Sequence, residues 1–142
     1  MKKADDAITP HWYDSPDSGN DPLARMAGLA LWFYHKVDYN QDWDYKSRGE
    51  KYQAFGDFNF GATGAATTLF TENTLQRMAG WAQQRHPEQG PGEGGSPGSL
   101  MHIVIDNFLG RKGGQPPYGD YNWEQDLILR GIAYYNAGCY KK

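Results

Sequence analysis

A single cysteine, Cys139, stands in 142 residues, so no disulfide can form within the chain and the redox character of its compartment leaves no mark. One thiol cannot build a structural zinc site either. Near a helix end it reads as a small buried residue rather than a nucleophile. An excess of cations is also missing. The formal charge is -3 and the isoelectric point is near 5.7, which removes any general attraction to a polyanion. Arg111-Lys112 and Lys141-Lys142 are adjacent basic pairs, and such pairs are ordinarily solvated surface. Long apolar runs are absent as well, so the sequence predicts no membrane insertion. The charged start, Met1-Lys2-Lys3-Ala4-Asp5-Asp6, is not followed by an apolar stretch of signal-peptide length.

Rings are plentiful. Aromatic residues make up 15% of the chain, against 39% hydrophobic and 22% charged residues in total. That composition predicts a globular chain with a ring-rich core, and the length suits one domain. Residues 1–21 are polar and broken by Pro10, Pro16 and Gly19, and read as an arm preceding a domain over 22–142. Asp21-Pro22 is a helix start, with Leu23, Met26, Ala27, Ala30 and Tyr34 at helical spacing to about Lys36. From Val37 to Gly64, aromatic and polar residues alternate with glycines, which predicts a long ordered loop. Thr71 to Asn73 can open a helix reaching about Arg85.

Residues 86–98, HPEQGPGEGGSPG, hold no apolar side chain and read as a flexible surface loop. Ser99 can cap a further helix, although Ile103-Val104-Ile105 also suits a strand. A loop over Gly110–Gly119 leads to Asn122 and Gln125, which read as a capping box for a last helix ended by Gly138. The expectation is a mainly α, compact single domain of about four helices with a long ordered aromatic and Gly-rich loop.

Chemistry concentrates in Trp43-Asp44-Tyr45-Lys46 and in Phe55-Gly56-Asp57-Phe58-Asn59-Phe60-Gly61-Ala62-Thr63-Gly64. In an extended stretch, Asp57 and Asn59 would face one way and the phenylalanines the other. A carboxylate against aromatic walls has the setting that raises a pKa and makes an acid catalyst. A plainer reading makes both residues turn caps.

These two segments, with A-G-W-A-Q at 79–83, G-D at 119–120, Asp126, and G-I-A-Y-Y with G-C within 131–139, resemble the polymorphic toxin type 44 family. The resemblance covers about the last hundred residues, and the decapeptide is its specific part. It implies a toxin domain that one bacterium uses against another. A carrier or secretion-system protein would deliver it into a target bacterium, and a cognate immunity protein would protect the producer. Position 57 is Asp where Asn is more usual in the family, which adds a charge beside the rings.

A ribonuclease activity has been associated with the family, yet the motifs hold no histidine. Metal-independent RNA cleavage usually needs such a base. His11, His35, His86 and His102 all lie outside them. Carboxylates recur instead, at Asp44, Asp57, Asp120 and Asp126, with Glu124 and Glu50 nearby. One protonated and one ionised carboxyl are the apparatus for breaking a glycosidic bond, and rings at Trp43, Tyr45, Phe58, Phe60 and Trp81 can stack on sugars.

The residues therefore predict a hydrolase acting on peptidoglycan glycan in the periplasm without a cofactor. Asp57, Asp44, Asp126 and Lys46 are the candidate catalytic residues. Asn59, Trp43, Tyr45, Phe60, Thr63 and Asp120 are the candidate substrate-binding residues. A nuclease acting in the cytoplasm, whose carboxylates would hold a divalent metal, is the second reading. A non-enzymatic toxin or interaction module is the third. Trp81 reads as core, with Gly80 letting another helix approach.

Overall fold

The computed structural model describes residues 21–37 and 52–141. The first helix, α1 (Pro22–Val37), begins where the sequence places it. The Asp21 carboxylate accepts from the Leu23 N–H at 3.0 Å, and proline occupies the position where its missing N–H costs nothing. Among the described residues four further helices follow: α2 (Gln53–Ala66), α3 (Glu72–Arg85), α4 (Leu100–Leu109) and α5 (Asn122–Asn136). Single 3-10 turns lie at Pro87–Gln89 and Cys139–Lys141. Among the described residues there is no strand, only an antiparallel bridge between Ser96 and Gln115. The fold is mainly α.

The largest departure from expectation is α2. Residues 53–66 are helix, not part of an ordered loop running to Gly64. The glycines that argued against a helix are explained by tertiary contact. A Cβ on Gly61 would lie 2.0 Å from the Ile128 carbonyl oxygen, and one on Gly131 would lie 2.0 Å from that of Phe58. Two glycines therefore let α2 and α5 meet backbone to backbone, a contact that outweighs their poor intrinsic propensity. The Gln53 amide reaches Glu124 at 3.3 Å, which places the starts of the two helices side by side.

The core gathers Ala30, Phe33 and Tyr34 from α1, Leu75 and Met78 from α3, Ile103 and Val104 from α4, and Ile128 and Ile132 from α5. The Ile103-Val104-Ile105 triplet is thus helical, because its first two residues fill one buried face. Ser99 caps α4 through the His102 N–H at 3.2 Å. Thr71 caps α3, accepting from the Thr74 N–H at 3.1 Å. Thr71→Ala is expected to lower the unfolding free energy by about 1 kcal/mol, read from the urea midpoint; an unchanged midpoint would deny the cap any weight. Gly138, at φ 73°, follows α5 as a left-handed terminator.

The Asn122–Gln125 capping box does not form. Tyr121 is the N-cap residue and offers no side-chain cap. Asn122 instead donates through its backbone N–H and its side-chain amide to Glu93, while the Gln125 amide turns to Asp120 at 2.8 Å. Residues 86–98 are pinned along their length. Glu93 N–H donates to the Asp120 carbonyl, Gly119 N–H to that of Gly94, and Ser96 and Gln115 exchange a pair of bonds, each 2.8 Å long. Arg77, almost fully buried, donates to the Pro97 carbonyl at 2.7 Å and to Asp106 at 2.8 Å, so one guanidinium joins α3, this loop and α4. The cation beside Asp106 holds its carboxyl below the ordinary range.

Candidate active site

The start of α5 carries the chemistry. Asp120 lies two residues before the helix and Glu124 one turn inside it, and each is only 2% exposed. Their carboxyl groups are hydrogen-bonded to one another. Burial first, and then this bond and the negative charge of Glu124, push Asp120 up to about 8. At neutral pH the two carboxyls share one proton. The bonds that favour ionisation, from the Gln125 amide at 2.8 Å and the Tyr121 N–H at 2.9 Å, only partly offset that rise. They also fix the orientation of the carboxyl group. On the far side, the Gln53 amide donates to Glu124.

Asp57 belongs to the same interface. It stands one turn after Gln53 and one turn before Gly61 on α2, both of which touch α5, so it lies on the strip between them. It too is 2% exposed. Three acidic side chains are thus buried where α2 meets α5. Among the described residues no group of three His, Cys, Asp or Glu side chains is gathered closely enough to hold a metal ion.

The other sequence candidates fare differently. Asp126 is exposed on α5, two residues round from Glu124, and does not join Asp57. A helix turns such a pair of positions to different faces. Asn59 is likewise two positions from Asp57, and because α2 is helical the shared polar face expected of an extended segment does not exist. Phe60 packs on Phe33 with ring centroids 5.3 Å apart, a core contact rather than a substrate platform. The Thr63 hydroxyl donates to the Asn59 carbonyl at 2.6 Å within its own helix, so its bonding is local. Trp81 meets Tyr34 edge to face, as expected of a core residue. Gly80 admits the Tyr118 carbonyl, from a loop and not from another helix. Trp43, Asp44, Tyr45 and Lys46 lie outside the described residues.

Sequence reasoning missed the roles of Glu124, Gln125 and Gln53. The available signal was an Asp and a Glu four positions apart astride a helix start. Assigning Gln125 to a cap concealed it. The class defined by fold and site is a small helical domain with a proton-sharing carboxyl pair at a helix start and a third buried acid opposite. Comparison with family models, curated proteins and solved structures gives no match.

Proposed function

We propose that the chain is the toxic domain of an interbacterial toxin, and that it hydrolyses the glycan of peptidoglycan. The observation carrying this reading is the pair of buried carboxyls, Asp120 and Glu124, at the start of α5, where burial and the neighbouring carboxyl push Asp120 up to about 8. A carboxylic acid still protonated at neutral pH can donate to a leaving sugar oxygen. The pair is too close for its two members to stand on opposite sides of a sugar ring, so it acts as one unit, the acid. Asp57 supplies the second carboxyl. Asp57 stands one helical turn after Gln53, whose amide touches Glu124, on the strip of α2 that faces α5.

Delivery by a carrier and neutralisation by an immunity protein belong to the same reading, through the resemblance of the decapeptide at 55–64.

Expression with and without a periplasmic signal tests the proposal. Death of the host only with the signal, and new reducing ends on purified sacculi, are expected. Asp57→Asn, a near-isosteric change, should reduce the release of reducing ends by about 10²-fold or more while the protein stays folded by circular dichroism. Cytoplasmic killing with degraded RNA or DNA would sink the wall reading in favour of a nuclease. New amino groups without reducing ends would move the cut to an amide bond.

A further inference from the structure

Directly beside the carboxyl pair, α5 begins with an arrangement of rings that the fold does not need for its core. Trp123 is 44% exposed. Its indole lies on the Tyr121 ring, with centroids 6.3 Å apart and planes 28° from parallel. Tyr121 is itself held, because its hydroxyl occupies the space a Cβ on Gly90 would take, 2.1 Å away. An exposed indole braced in this way presents a fixed apolar face to solvent.

Polar groups surround that face. Asn122 and Glu93 are bonded to each other and exposed on the loop side. Asp126 is exposed one turn along α5, three residues from Trp123 and four from Asn122, and so lies on the same strip.

We propose that Trp123, backed by Tyr121, forms with Asn122, Glu93 and Asp126 a subsite that receives one sugar ring of the glycan. This rests on the glycan reading above and names where that substrate is held. A pyranose has an apolar face of C–H groups, which an indole covers, and a rim of hydroxyls, which carboxylates and amides bind. Nucleobases stack on tryptophan too, but two carboxylates beside the ring repel a phosphate backbone. The charge of the rim therefore selects a neutral sugar. Trp123 stands three residues after Asp120 and next to Glu124, so subsite and acid lie at the same end of α5. It also gives Asp126 a role as a hydroxyl acceptor rather than as a partner of Asp57.

Chitotetraose, a neutral N-acetylated oligosaccharide, is the probe, titrated into the whole chain, into Trp123→Ala and into Trp123→Tyr by isothermal titration calorimetry. Binding by the parent and about tenfold weaker binding by Trp123→Ala are expected, with Trp123→Tyr retaining most of the affinity. Equal affinity in parent and Trp123→Ala overturns the subsite, as does Trp123-dependent binding of a single-stranded RNA oligomer in place of the sugar. Binding needs no bond cleavage. Trp123-dependent sugar binding without new reducing ends on sacculi supports the subsite and removes the hydrolase. Sacculus cleavage at the parent's rate by Trp123→Ala does the reverse.

Discussion

Alanine at Gly131 is expected to lower the melting temperature by about 10 °C or more, against the direction that helix propensity gives. In an isolated helix the change would stabilise by up to about 1 kcal/mol. Here the added methyl would sit 2.0 Å from the Phe58 carbonyl oxygen and 2.8 Å from the Ala62 nitrogen. Both are backbone atoms, so no rotamer change relieves the clash and the two helices must separate. Overpacking a well-filled contact typically costs about 1 to 3 kcal/mol, and a backbone-to-backbone clash belongs at the upper end or beyond. Against a total stability of about 5 to 15 kcal/mol, that is a large fraction.

Gly61→Ala meets the Ile128 carbonyl in the same way. The double variant should lose less than the sum, because the first methyl has already parted the helices. Thermal melts followed by circular dichroism at 222 nm would decide it. A melting temperature equal to or above that of the parent for either single variant would mean that the close approach does not govern stability.

The same pair of glycines shows why part of the fold was illegible. Helix ends were read correctly where a local bond makes them, at Asp21, Thr71, Ser99 and Gly138, since the partner of each is a few residues away. The class followed from periodicity at Leu23 to Tyr34 and at Leu75 to Ala82. The helix over 53–66 was misread because what allows it is a distant chain. Gly61 and Gly131 are helix breakers in isolation and become contact residues only when read together.

The site divides along the same line. The buried acids Asp57 and Asp120 were visible as acids among rings, which is a local property. Pairing them required the register of α2 on α5. Glu124 shares the spacing of Ile128, Gly131 and Ile132 and so turns inward while Asp126 does not, but that spacing alone makes an acid on an apolar face look misplaced until its partners, Asp120 and Gln53, are known. Gln125 has the appearance of a capping residue until Asp120, five residues earlier, takes its amide.

The remaining large effect concerns Asp120. In the unfolded chain its carboxyl ionises near its ordinary value of about 3.9. In the fold it keeps its proton to about 8. Between these limits the native chain binds more protons than the unfolded one, so stability falls as pH rises. The contribution is complete below about pH 4, shrinks by up to about 1.4 kcal/mol per pH unit, and is gone above about pH 8. Because Asp120 and Glu124 share the proton, the slope belongs to the pair.

Asp120→Asn separates this titration from the shape of the site. The amide can donate to Glu124 as the protonated carboxyl does and its oxygen can still accept from Gln125, while the Tyr121 N–H loses its acceptor, a pH-independent cost of about 1 kcal/mol. The variant should therefore lose the slope between pH 5 and 8 and stand above the parent in stability at pH 8. Having no proton to give, it should lose about 10²- to 10⁴-fold in cleavage rate. Activity of the parent should decline as pH passes about 8, where the acid ionises. Urea denaturation from pH 4 to 9 measures the first effect, and reducing ends released from sacculi measure the second. Identical pH–stability curves for parent and Asp120→Asn would show that Asp120 is already ionised in the native protein, and the acid would then have to be sought elsewhere. A more stable variant that no longer cleaves would show instead that the buried proton is kept for catalysis at the expense of stability, as a tuned acid requires.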